Sequence, residues 1–182
     1  MKLYKLTDQH DQTYGGCQWG EGVTIKTNGE GGLCGPGFTH WYTDPLLAVL
    51  LNPIHGNYNL ETAHLWEGEG EVVKTNHGLK AGCTAATTLR RIPLPVVTLE
   101  QKVRFGILCA MEVYQCEDFT AWANAWLSGL DRSEASAEAA AAAARAAGAS
   151  ARAAARAAGA SARAAAGLGE LDLIALAEGV CQ

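Results

Sequence analysis

The chain has 182 residues and a formal net charge of −5. This length allows one ordinary hydrophobic core with room for a further module, and the acidic balance argues against a surface that binds phosphates indiscriminately. The amino terminus MKLYKLTDQH lacks the apolar run of a secretion signal, and no apolar run is long enough for a membrane span. We therefore expect a cytoplasmic protein.

Composition divides the chain near residue 130. Every aromatic side chain and every histidine lies before that point, and none occurs in residues 131–182. We predict a globular domain over residues 1–130, followed by a helical tail over residues 131–182.

The first half of this domain has the patterns of short strands and a loop. Strands are predicted over Leu3–Leu6, Thr13–Trp19 and Val23–Lys26, with polar turns between them. The following run, GEGGLCGPGF, contains too much glycine for regular structure and is predicted to be a shaped loop. Next, Asp44 and Pro45 are typical of a helix start, because aspartate caps the first turn and proline fits its first position.

Two strands and two helices are predicted in the second half. The segment His64–Lys74 alternates like a strand, and Thr84–Ile92 is rich in residues that favour strands. Thr98 and Gln101 have the spacing of a capping box, which predicts the start of an amphipathic helix. A further amphipathic helix is predicted over Asp118–Gly129. The domain is therefore predicted to be α+β, with a small mostly antiparallel sheet and two packed helices.

A long alanine-rich helix is predicted after this domain. Residues 145–155 read RAAGASARAAA, and residues 156–166 repeat the same eleven letters. At about 100° per residue, four arginines of this tract fall within roughly 20° of one line on a helix. We call them the arginine stripe: Arg145, Arg152, Arg156 and Arg163.

The small residues around the arginine stripe allow close helix packing, so we expect this helix to assemble copies of the chain into a homo-oligomer. Three roles remain open for the stripe itself. It can contact a polyanion, pair with acidic residues of a second copy, or form the wet face of an otherwise apolar helix.

The glycine-rich loop and the aromatic run after it are the candidate ligand-binding surface. Backbone amides in such a loop can contact an anion, and neighbouring aromatic rings can stack on a base or ring. The loop matches no established phosphate-binding pattern, however, so a purely structural turn is the competing interpretation. The candidate binding residues are Gly35, Gly37, Phe38, His40, Trp41 and Tyr42.

Metal and nucleophile patterns are weak. The histidines and cysteines lack the close pairs of a zinc site, so no metal or cofactor is predicted. Cys34 and His40 are a candidate nucleophile and base, but the sequence spacing indicates no third residue that would orient the base. A row of three glutamates on one strand is predicted to be solvated and paired with basic residues of a neighbouring strand: Glu67, Glu69 and Glu71.

The runs LCGPGFTHWYTDPLLAVLLNPIH and LWEGEGEVV, together with TTLRRIPLP and VRFGILCAMEVY, carry a resemblance over about residues 1–130. In these motifs the chain resembles a family of uncharacterised phage and bacterial proteins, many of which have alanine-rich tails. The resemblance implies a prokaryotic or phage setting, and it supplies no catalytic residue.

We therefore expect a non-enzymatic phage or prophage protein that binds a host protein or a small anionic ligand and gains valency from its tail. Interference with host defence would suit that setting. One alternative is a nucleotide-acting enzyme resembling an ADP-ribosyltransferase, with His40, Tyr42 and one of the three glutamates. Another is a nucleic-acid binder that uses the arginine stripe. No membrane partner is expected.

Overall fold

The computed structural model describes residues 1–75, 78, 80–113, 116–136 and 173–181. The chain forms two compact units, Met1–Phe105 with Asp172–Gln182, and Gly106–Leu171. In this division the last helix falls with the first unit and residues 106–130 fall with the second, while the expected domain boundary at residue 130 stays a prediction. Apart from a helical turn at residues 134–136, the predicted alanine-rich helix lies outside the described residues.

Up to residue 92 the described chain consists of short strands and two short helices, and the elements after that residue are all helices. In order, the elements are β1 Lys2–Thr7, β2 Gln12–Thr13, a 3₁₀ turn Tyr14–Gly16, β3 Cys17–Gln18, β4 Thr24–Lys26, β5 Thr39–Trp41, α1 Pro45–Leu50, α2 Asn52–His55, β6 His64–Gly70, β7 Lys74–Thr75, β8 Ala81–Cys83, β9 Ala85–Ile92, α3 Leu99–Val113, α4 Glu117–Ser128 and α5 Leu173–Cys181.

All strand pairs of the described residues are antiparallel. The largest sheet has four strands in the order β1-β6-β9-β4, a second has the order β5-β8-β7, and β2 pairs with β3. The α+β class and the antiparallel pairing predicted from the sequence are therefore confirmed. The second sheet was not predicted, because the β8 sequence Ala-Gly-Cys lacks the branched and aromatic residues that favour strands.

Strands β1 and β5 join the two larger sheets. Tyr4 and Tyr42 exchange both backbone hydrogen bonds, at 2.8 and 2.9 Å. On one side of this junction, Leu3, Trp41 and Cys83 share a buried cluster and have no solvent exposure. On the other side, the buried cluster contains Leu6, Ala48, Ala63 and Leu65. Strand β1 is therefore buried on both faces.

Helix α1 begins as its sequence predicts. The Asp44 carboxylate accepts a hydrogen bond from the Leu46 amide at 2.7 Å, and Pro45 occupies the first turn. Helix α5 packs against α1, and Ala177 and Val180 of α5 are buried. The carboxyl-terminal helix thus completes the first unit.

The second unit contains most of α3 and all of α4. The capping box at the start of α3 is confirmed, since the backbone amides and side chains of Thr98 and Gln101 bond reciprocally at 2.8 and 3.2 Å. Helix α4 ends at Gly129, which has the left-handed conformation typical of a helix end. Ile107 of α3 packs with Phe119 and Ala123 of α4 in a buried cluster.

Two predicted strands are interrupted in the structure. Residues 13–19 form a tight hairpin instead of one strand, because Gly15 and Gly16 take φ values of 73° and 74°. The strand from His64 ends at Gly70 rather than at Lys74, because its partner β9 supplies no further pairing there. In the part of the chain that the structure describes, no helix is both long and apolar enough to cross a membrane.

Candidate functional site

A cavity of about 580 Å³ lies within the first unit, between β1, the β2–β3 hairpin, the glycine-rich loop, β5 and the segment after α2. Five of the six predicted ligand-binding residues line it, namely Gly35, Phe38, His40, Trp41 and Tyr42. The sixth, Gly37, is not among its walls. The structure therefore brings together most of the surface that the sequence indicated.

The glycine-rich loop is held mainly by its own backbone. The Gly29 amide donates to the Gly37 carbonyl, and the Gly35 amide donates to the Gly32 carbonyl, each at 2.9 Å. A side chain at Gly37 would overlap the backbone of Glu30. These two amides are therefore used within the loop, and Gly37 is required by this close approach, whereas the choice between a structural turn and an anion site stays open.

Trp41 and Phe38 form walls of the cavity rather than open stacking faces. The Trp41 side chain is fully buried, its Nε1 donates to Thr39 Oγ1 at 2.9 Å, and its ring meets the Trp19 ring edge-on at 5.3 Å between centroids. Phe38 is 6% exposed, and the Lys74 ammonium lies 4.8 Å from its ring centroid. Neither ring has an open face for a ligand.

Lys5 is the functional candidate that sequence reasoning missed. It lines the cavity from β1, yet only 7% of the residue is exposed. Its Nζ donates to the His40 carbonyl at 2.7 Å and lies 4.5 and 5.3 Å from the ring centroids of Trp19 and Trp41. Burial lowers the pKa of Lys5 to about 8. Within the described residues no carboxylate forms an ion pair with this ammonium.

His40 is held by the loop, and its surroundings disfavour the charged imidazolium. Its Nε2 hydrogen-bonds to the Leu33 carbonyl. Burial lowers the pKa of His40, and the positive charges of Lys80 and Lys5 lower it further. The imagined pair of Cys34 and His40 has no hydrogen bond among the described contacts. Cys34 Sγ instead accepts from Lys80 Nζ at 3.1 Å.

Tyr42 and His55 form a second polar pair in the cavity wall. The Tyr42 hydroxyl lies 3.1 Å from His55 Nδ1, and their rings stack at 5.8 Å between centroids. Burial raises the pKa of Tyr42 and lowers the pKa of His55. These directions favour the neutral form of both side chains, and the tautomer of His55 decides which of the two donates in this hydrogen bond.

The three glutamates of the predicted row do not line this cavity. Glu67 is paired with Arg90 at 3.2 Å and with Lys2 at 3.1 Å, which confirms the predicted pairing with neighbouring strands for this glutamate. These partners lower the pKa of Glu67. Glu69 and Glu71 line a separate open groove. No glutamate or aspartate is among the described residues that line the cavity with His40 and Tyr42.

A further ionic cluster fixes the turn after β1. Asp11, at φ 60°, accepts hydrogen bonds from His64 Nδ1 at 2.8 Å, from Trp66 Nε1 at 2.9 Å and from Arg91. The hydrogen bonds from His64, Arg91 and Trp66 outweigh burial and lower the pKa of Asp11. Because all three donors come from β6 and β9, this cluster ties the hairpin that borders the cavity to the main sheet.

No set of three metal-binding side chains is present among the described residues. The arginine stripe, Arg145, Arg152, Arg156 and Arg163, lies outside them.

Comparison with known proteins adds no relative. No protein-family model, curated protein or solved structure matches the chain. The resemblance to phage and bacterial proteins therefore stays a prediction from sequence motifs, and the case for a function depends on the cavity.

Proposed function

We propose that the first unit is a non-enzymatic binding module that holds a small anionic ligand in the cavity. One observation carries this proposal: Lys5 presents a nine-tenths-buried ammonium to the cavity and forms no ion pair within the described chain. An isolated buried charge is costly, and buried charges in proteins are normally paired. An anionic ligand supplies the missing counter-charge.

The rest of the lining supports an anion over a cation. Lys80 adds a second ammonium, and the described walls contain no carboxylate, although the whole chain carries a net charge of −5. His55 also lines the cavity, and its lowered pKa favours the neutral imidazole. A cavity of this charge within an acidic protein favours anions locally, because interactions between charges are stronger where water is partly excluded.

The size of the cavity supports a small molecule. Its volume of about 580 Å³ lies inside the range of roughly 300–1,000 Å³ that is typical of small-molecule sites. A host-protein partner would need a broader surface, so the cavity supports a small anion better than a host protein.

The enzymatic alternative has less support. An ADP-ribosyltransferase-like arrangement needs a glutamate beside His40 and Tyr42, whereas Glu67 is engaged with Lys2 and Arg90 and the other two glutamates line the separate groove. The nucleic-acid alternative depends on the arginine stripe and gains nothing from the described residues. Assembly through the alanine-rich segment and a role in a phage remain proposals that rest on the sequence.

The test is isothermal titration calorimetry of the full chain with inorganic phosphate, ribose 5-phosphate and AMP. Lys5→Met removes the buried charge, while Lys26→Met makes the same charge change at an exposed position outside the cavity. We expect at least one anion to bind, and Lys5→Met to weaken it by about tenfold or more, in line with a charged hydrogen bond. Lys26→Met should change affinity by less than about twofold because exposed charges are screened.

Two results would overturn the proposal. One is that none of the three anions binds the wild-type chain. The other is that Lys5→Met, shown to be folded by its near-ultraviolet circular dichroism, binds them as tightly as the wild type.

A further inference from the structure

Tyr14 lies at the edge of the same cavity, and its side chain packs against no other part of the described chain. It is one of the lining residues, and it is 99% exposed. Single exposed aromatic residues are common on protein surfaces, so exposure alone indicates nothing. Its position at the opening of an anion-compatible cavity is what distinguishes it.

The local structure presents this ring without packing it. Tyr14 begins the 3₁₀ turn that joins β2 to β3, and the next two residues are glycines with positive φ. The hairpin below is anchored, because Trp19 Nε1 donates to Thr13 Oγ1 at 2.9 Å. The anchored hairpin therefore places Tyr14 beside the cavity, and its exposed side chain is accessible to a bound ligand.

The volume of the cavity indicates a ligand larger than a simple inorganic anion. At about 580 Å³, the cavity is many times larger than one tetrahedral anion. Tyr58 and the stacked pair of Tyr42 and His55 form further aromatic walls. A flat ring attached to the anion would fill this space, and an exposed tyrosine gains contact area when it stacks on such a ring.

We propose that the ligand is an aromatic anion of the nucleoside monophosphate class, with its charged group near Lys5 and its ring covered by Tyr14. This inference rests on the proposed function, because it presumes that the cavity binds an anion. It adds the chemical class of the ligand and the residue that selects it.

Comparison of two probes separates the two proposals. AMP and ribose 5-phosphate share the sugar phosphate, and AMP alone carries a ring for stacking. We expect AMP to bind wild-type protein about tenfold more tightly than ribose 5-phosphate, as expected for stacking of one base on one aromatic side chain. Adenosine, which lacks the anion, should bind more weakly than AMP.

Variants of Tyr14 test whether this residue causes the preference for AMP over ribose 5-phosphate. Tyr14→Ala should reduce the preference for AMP to less than about threefold, whereas Tyr14→Phe, which keeps the ring, should retain it. Both variants should unfold at the wild-type temperature, because the side chain is exposed and packs on nothing.

The results have distinct meanings. Equal affinities for AMP and ribose 5-phosphate in the wild type would overturn this inference while leaving the anion site intact. A preference that survives in Tyr14→Ala would overturn the role of Tyr14. Absence of binding by every anion would refute the proposed function and this inference together.

Discussion

Replacing Lys5 by methionine tests whether its charge is buried at a cost. Methionine keeps a flexible apolar chain of similar reach and removes the ammonium. Burial lowers the pKa of Lys5 from 10.5 to about 8. This difference corresponds to about 3 kcal/mol by which burial of the charged form opposes folding.

The sign of the pH dependence follows from proton binding. Below pH 8, Lys5 is protonated in both folded and unfolded states, so the whole cost is present. Between pH 8 and 10.5 the unfolded state binds more protons, and the stability of the wild-type protein rises with pH. By about pH 9.5, about 2 kcal/mol of the cost is removed.

Urea unfolding at about pH 7 and about pH 9.5 measures this effect. We expect the free energy of unfolding of the wild type to rise by about 2 kcal/mol relative to Lys5→Met between these two conditions. Lys26→Met should show no such relative change, since it is exposed. A constant difference between the wild type and Lys5→Met would refute the inference that Lys5 is buried as a titrating charge.

Three further predictions concern packing and assembly. Gly37→Ala should lower the free energy of unfolding by about 2 kcal/mol or more, because the new methyl group overlaps the Glu30 backbone, whereas Gly32→Ala meets nothing within 4 Å and should change it little in the same urea assay. Ala177→Glu should destabilise the first unit by about 2 kcal/mol or more in thermal unfolding, because residue 177 is buried, while Glu178→Ala on the exposed side should cost less than about 0.5 kcal/mol. If either control matches its partner variant, the packing described at that position is wrong. Light scattering should show that the wild-type chain is an oligomer. Glutamate should dissociate it when it replaces four alanines of the alanine-rich segment, namely Ala139, Ala142, Ala146 and Ala153. An unchanged mass would contradict the role of this segment in assembly.

Local signals in the sequence predicted the elements whose causes are local. The Asp44 cap, the Thr98 and Gln101 capping box and the Gly129 helix end all depend on residues within one turn of each other. The loop and aromatic run also pointed to the cavity, since five of their six candidate residues line it.

The features that sequence reasoning missed depend on distant contacts. In the pattern of β1, Lys5 looks like a surface residue, and only the junction of β1 with β5 places it against Trp19 and Trp41. The same packing buries Trp41, which the sequence suggested as a stacking surface. The composition of the chain places the last helix in the tail, because nothing in the pattern of this helix identifies α1 as its packing partner.

The most direct test of the account is the pKa of Lys5 with and without AMP, followed by nuclear magnetic resonance of the lysine Cε in labelled protein. Without ligand, we expect a pKa of about 8. Because a nearby anion favours the ammonium, saturating AMP should raise the pKa by about one unit or more. A Lys5 pKa that stays at the same value when AMP is bound would contradict the claim that this lysine pairs with the charge of the ligand.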